Sequence, residues 1–318
     1  MTLSEFCERS VQMGIDADVR GRRAIEAELS ALERAYRQMP TAAALGFDEE
    51  RLRNPFGDTR LVYGDPETEL TGFVTGIDIS KEAFDLVERL RSEGERVDAI
   101  ISHHTSGWGL RAIEDVLSAQ FHRIVDSGVP EERAKRLMDE FATTKWQGWS
   151  RDDKLQLAGE RDIPVALVHT PADNCHLAHT LQVMEARRPE TLGQAVEALS
   201  ETPEMGRMEG RGDGVRIVVG EPQRALGKVF CAMGCGWNPS GEVLAALGEA
   251  GVTTGLMVTP GAPLAEAARQ AGMAIIGMPH EGQDSLGMSI LYSRVIGDED
   301  ITIYPCGGYL MRQEHFAG

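Results

Sequence analysis

The chain has 318 residues, enough for two ordinary domains or one large one, each with its own buried core. Its 42% hydrophobic and 26% charged residues exclude an intrinsically disordered chain. With 32 Lys and Arg against 50 Asp and Glu, the formal net charge is -18, which repels phosphate backbones and anionic lipid and excludes nucleic-acid binding through a basic face. No run approaches the ~18 apolar residues of a membrane span, and the acidic start Met1-Thr2-Leu3-Ser4-Glu5 shows no secretory signal. The cysteines (Cys7, Cys175, Cys231, Cys235, Cys306) are odd in number and have no framework spacing, so they read as reduced thiols of a cytoplasmic protein.

Residues 3–38 place Ala24, Ile25, Leu29, Leu32 and Tyr36 at helical spacing, giving one or two amphipathic helices that end before Pro40. A turn-rich passage follows, from Asn54-Pro55-Phe56-Gly57-Asp58 through Leu61-Val62-Tyr63-Gly64-Asp65-Pro66. Residues 72–79 read as a buried strand, and Ser80 as the cap of a helix from Lys81 to about Glu93. A second strand spans 97–102, and 110–160 is helical by pattern, broken near Gly128-Val129-Pro130. Further strands fall at 164–168, 215–219, 228–232, 254–258, 273–276 and 301–304. Residues 176–200 read as helical, and 202–214 as a polar, Gly-rich connection. Phe230 to Gly241 reads as a strand, a Gly-rich turn and a helix start capped by Asn238, with Pro239 in its first turn. Strands that are apolar throughout and alternate with helices specify the α/β class, with largely parallel sheets flanked by helices.

The histidines carry the chemistry. Six of the eight follow closely on expected buried strands: His103 and His104 after 97–102, His169 after 164–168 with His176 and His179 just beyond, and His280 after 273–276. Asp173 lies four residues after His169, and Asp284 four after His280. In parallel α/β sheets the carboxyl ends of strands form one rim, where ligands bind, so three segments can meet there. Imidazole with carboxylate suits zinc, manganese, iron or nickel. His103, His104, Asp173, His280, Asp284 and His169 exceed what one tetrahedral ion needs; two ions about 3.5–4 Å apart would use them. His103 and His104 cannot share a face within a regular strand, so the strand must end at or just after them. His176 and His179, at i, i+3, read as a solvated helix face, and His122 and His315 lie outside the cluster.

These segments resemble a known family. Asp98-Ala99-Ile100-Ile101-Ser102-His103-His104 is similar to the D-x-I-I-x-H-H strand end of the Nif-three-like proteins (NGG-one-interacting factor three), also labelled GTP cyclohydrolase type 2 homologues. His169-Thr170-Pro171-Ala172-Asp173 resembles their H-T-x-x-D, and His280, Asp284 and Gly287 their closing G-H-x-x-x-E-x-x-G. Gly76-Ile77-Asp78 and 61–65 are weaker matches, and the motifs keep the family's order from about Gly57 onward. The resemblance implies two α/β lobes with a dinuclear metal site in the cleft between them, and a ring-like homohexamer. It assigns His103, His104, Asp173, His280 and Asp284 as ligands of two divalent ions, with His169 a ligand or a group that orients one or shuttles a proton. The implied organisation is a helical segment 1–56, a first lobe 57–180 and a second lobe 181–318, whose part from about 273 is a candidate to pack back on the first.

Asp284 stands where the family has Glu and is one methylene shorter, so a bridging carboxylate there requires the backbone to come closer. Pro279 replaces the usual Gly and Thr105 the common Pro. Trp108, Trp146 and Trp149 mark 110–160 as a lid or an oligomer contact. The functional expectation is a dinuclear metal-dependent hydrolase acting on a small phosphate-bearing or purine-like molecule. The alternative is a non-catalytic metal-binding regulatory or scaffold protein built as a ring-like oligomer.

Overall fold

The computed structural model describes residues 1–105, 118–145, 153–234 and 237–312; Trp108, Trp146, Trp149, Cys235 and His315 lie outside the described residues. Two sheets carry the chain. The first runs, edge to edge, β1 (Thr59–Tyr63), β4 (Val165–Val168), β3 (Ala99–Ser102), β2 (Gly72–Gly76) and β9 (Thr302–Pro305). The second runs β5 (Arg216–Val219), β8 (Ala274–Met278), β7 (Thr254–Val258) and β6 (Val229–Ala232). All pairings are parallel except β1 with β4 and β5 with β8, where an antiparallel strand closes one edge of each sheet. The interior strands β2, β3, β4 and β8 are buried at every position, which is why their sequences are apolar without alternation.

The chain's last strand, β9, pairs with β2 of the first sheet, so that sheet is completed by residues more than 200 positions downstream. Two helices occupy the space between the sheets, His169–Arg187 and His280–Ile296. Ala172, Cys175, Leu291 and Tyr292 from these helices join the core over the first sheet, with Phe73, Leu3 and Phe6. Leu177 and Leu286, from the same two helices, join the core on the second sheet with Leu256 and Ile276. Leu3 and Phe6 belong to the N-terminal helix Leu3–Ala17, whose first turn is fixed by a capping box: Glu5 N–H donates to Thr2 Oγ1 at 3.2 Å and Thr2 N–H to Glu5 Oε2 at 2.8 Å. The far face of the second sheet is covered by Ile124, Met138, Leu244 and Ala268, from four further helices.

Four local expectations are corrected. Thr59–Tyr63, within the passage read as turns, is a strand: alternation is weak because the first two residues are buried and the rest half-buried. Residues 203–210, read as a connection, form the helix Pro203–Gly210, started by the Thr202 side chain accepting from Met205 N–H and by Pro203 in the first turn. Met205 and Met208, three apart, are the buried stripe that holds it. Asn238 is not the cap of the next helix. Ser240 caps Gly241–Glu249, accepting from Val243 N–H at 3.2 Å, while Asn238 Nδ2 donates to the Val258 carbonyl at 3.1 Å. Finally, the helical stretch read as 176–200 starts directly at His169 and is broken at Arg188, which adopts a left-handed conformation (φ 47°) before a new helix begins at Leu192.

Candidate metal centre

β3 ends at Ser102, and the next two backbone N–H groups still bond to the extension of β2: His103 to Gly76 O at 3.1 Å and His104 to Ile77 O at 2.8 Å. Both imidazoles are thereby held at the carboxyl end of the sheet, ring centroids 5.1 Å apart. β4 passes straight into its helix, so His169 and Asp173 stand one turn apart on that helix's first turns. β8 does the same through Pro279, placing His280 and Asp284 one turn apart at the start of the last long helix. The two His-x-x-x-Asp segments are therefore the same device used twice, a helix start that presents an imidazole and a carboxylate on one face.

All six side chains converge. His103 Nε2 lies 3.4 Å from Asp173 Oδ1 and 3.5 Å from Asp284 Oδ1. The other oxygen of Asp284, Oδ2, lies 3.4 Å from His104 Nε2 and 3.3 Å from His280 Nε2. His169 Nε2 is 3.7 Å from Asp173 Oδ2. Three sets of three residues bring ligand atoms within 4.8 Å of one another: His103, His104 and His169; His104, His280 and Asp284; His103, Asp173 and Asp284. A metal–ligand distance of ~2.1 Å in tetrahedral geometry separates ligand atoms by roughly 3.4 Å, and the spacings here cluster at that value. Asp284 turns one oxygen to each of two sets.

The shorter Asp284 reaches because its helix comes close. A Cβ on Gly287 would lie 2.3 Å from the Ala172 carbonyl oxygen and 3.2 Å from His176 Cβ, so only glycine permits this approach of the two helices that carry His169 and Asp173, and His280 and Asp284.

Both nitrogens of His103, and Asp284 Oδ2, are inaccessible and make no hydrogen bond. Buried polar atoms in that state are costly unless something else satisfies them. Unprotonated imidazole nitrogens and carboxylate oxygens, aimed inward and otherwise unsatisfied, fit a divalent cation. The proton balance differs between the two adjacent imidazoles. Burial pushes the His103 pKa below the usual imidazole value, against the pull of Asp284. Burial also opposes charge on His104, but the flanking Asp284 and Asp78 carboxylates prevail and raise it to about 10. Asp284, despite burial, is held well below the usual carboxylate range by His103 and His104.

Two carboxylates outside the expected set orient the imidazoles. Fully buried Asp58 accepts from His169 Nδ1 at 2.8 Å and from Thr170 Oγ1 at 2.7 Å. Burial alone would raise its pKa, but His169 and these bonds hold it down. Asp78 lies 3.0 Å from His104 Nδ1. Each leaves the Nε2 of its histidine facing the cluster. Asp78 was legible only as part of a weak motif, and Asp58 not at all, because an Asp beside Gly in a turn-rich passage carries no mark of its partner. His176 corrects a further expectation: it is 2% exposed, not solvated, and burial pushes its pKa down to about 4. The face of its helix points at the close-packed partner helix and not at water, which i, i+3 spacing alone cannot reveal. His179 is half-buried. From the second sheet, the turn after β6 reaches the centre at Gly234, where a Cβ would lie 3.7 Å from that of Asp173.

A two-sheet α/β protein with a buried histidine–aspartate cluster at the strand ends is thus defined. Its fold is that of a NIF3 superfamily protein: the chain superposes on the crystal structure of one from Sphaerobacter thermophilus with a TM-score of 0.70 and 23% identity, over 81% of this chain and 94% of that one. Reduced HcgD from Methanocaldococcus jannaschii is more distant, at 0.49 and 13% over 84% and 97%. A Bacillus cereus protein related to NIF3 gives 0.45 and 11% over 80% and 92%. No family model and no curated protein matches the sequence.

Proposed function

We propose that the chain is a Nif-three-like hydrolase that holds two divalent ions and acts on a small phosphate-bearing or purine-like molecule. The observation that carries this reading is Asp284, whose two oxygens face two different imidazole sets at 3.3–3.5 Å. His103 and Asp173 would hold one ion, His104 and His280 the other, with Asp284 shared. Bound there, such ions would supply Lewis acidity and a water of near-neutral pKa as nucleophile. His169, with Nδ1 locked by Asp58, keeps Nε2 toward Asp173 and serves as ligand or proton carrier. His280 is the exposed member of the cluster, its side chain 45% accessible, and gives a substrate its way in. Phosphate recognition by the site matches a cationic centre inside an acidic protein. The reading extends to a cytoplasmic ring-like homohexamer.

Metal analysis and a hydrolase screen on wild type and His104→Ala test it. Two ions per wild-type chain, with a hydrolysis that the variant loses, support the proposal. Two ions with no hydrolysis that separates the proteins favour the non-catalytic scaffold.

A further inference from the structure

A half-open pocket is lined by later turns of the two helices that start on His169 and His280. It is a cavity of about 310 Å³ where the N-terminal helix, His169–Arg187, His280–Ile296 and Arg312 meet. Among the described residues that line it there is no carboxylate; Arg294, Arg312 and His179 stand beside the amide of Gln182 and the hydroxyl of Ser293.

The three basic groups differ in how they are engaged. Glu204, fully buried, takes Arg312 in a two-bond clamp, Nε to Oε1 at 2.5 Å and Nη2 to Oε2 at 3.1 Å, which fixes that guanidinium and largely balances its charge. Arg294 makes no hydrogen bond or ion pair with any described residue, yet its charge is felt by the buried Cys175 thiol in the cavity wall. His179 Nε2 is inaccessible and has no hydrogen-bond partner. Burial, with Arg312 second, holds the His179 pKa below its usual value, so the ring is neutral near pH 7 and can offer one N–H. Met13, Ala17 and Ile290 complete the walls with apolar surface. An unpaired guanidinium beside amide and hydroxyl groups, with apolar walls, is complementary to one kind of guest.

We propose that this cavity binds a small oxyanion, a carboxylate or phosphate group carried on a compact apolar body, at a site separate from the metal centre. Arg294 supplies the charge, beside the polar groups of Gln182 and Ser293.

The test is calorimetric titration of the metal-loaded protein with inorganic phosphate and, separately, with acetate, at constant ionic strength. Besides the phosphate taken up by the metal centre, wild type is expected to bind one of the two at one further site per chain, and the tighter anion identifies the group. Arg294→Ala should weaken binding about tenfold or more and Arg294→Lys by less, since lysine keeps the charge without the fork. Arg294 is exposed, so neither change threatens the fold. His280→Ala, at the exposed edge of the metal centre, should leave binding at the further site unchanged. Binding that survives Arg294→Ala but is lost in His280→Ala places the anion on the metals and overturns the proposal, as does absence of binding at a further site by either anion up to about 10 mM.

Discussion

Asp58 shows how much of this centre rests on one unheralded carboxylate. It is sealed from water and, among the described residues, its side chain bonds to His169, Thr170 and the adjacent Thr59. Asp58→Asn keeps the shape but leaves His169 free to turn, so metal affinity should fall about 10–100-fold in chelator competition while circular dichroism stays unchanged. An affinity equal to wild type would show that the pairing is idle. His104 makes a second prediction. With its pKa raised to about 10, it carries a proton at pH 7 in the metal-free protein, and an ion must displace that proton. Calorimetry in buffers of different ionisation heat should find proton release on loading, and less of it in His104→Ala. His176 sets the opposite window. The unfolded chain takes up its proton near pH 6.5 but the folded chain only near pH 4, so the metal-free protein loses stability as pH falls between those values. A displacement of that size is worth roughly 3 kcal/mol. Urea unfolding across pH 4–7 should show the loss, and His176→Leu should flatten it; equal slopes would refute the assignment.

The same economy governs the elements. Each ligand-bearing helix starts on its histidine, so the strand that ends there positions the imidazole and the first helical turn positions the carboxylate. The two helices then have to approach closely, and Gly287 is where they touch. Gly287→Ala puts a methyl group 2.3 Å from the Ala172 carbonyl oxygen and forces the helices apart. Overpacking of this kind costs about 1–3 kcal/mol. It should also withdraw Asp284 from one imidazole set, so the variant should bind fewer ions per chain as well as melt earlier. Early melting with full metal content would separate the packing role of Gly287 from the reach of Asp284. Most of the elements were legible from periodicity because interior parallel strands are apolar at every position. β1 was not, because an edge strand with half its residues partly exposed resembles a turn passage in composition. The helix Pro203–Gly210 was hidden by its glycines and charges, since only Met205 and Met208 reveal its buried side.

At the scale of the molecule, the centre joins three segments spanning residues 103 to 284, and β9 returns the chain to the first sheet after that. Ions that bind only the folded arrangement stabilise it by mass action, by about 4 kcal/mol when free metal is 1,000 times its dissociation constant. Stripping the protein with a chelator should therefore lower the melting temperature by several degrees, and adding the ion back should restore it.

The histidine and aspartate residues that converge were identifiable from sequence, because chemistry at strand ends is local: an apolar run, then an imidazole, then a carboxylate one helical turn on. The α/β class was legible for the same reason. What only the tertiary structure decided is every relation between residues far apart in the chain. Asp58 became the partner of His169, and His176 became buried instead of solvated. Gly287 became the contact that lets a shorter carboxylate span two sets of imidazoles. Each depends on which faces of which helices meet, and helical spacing specifies a face but not what lies against it.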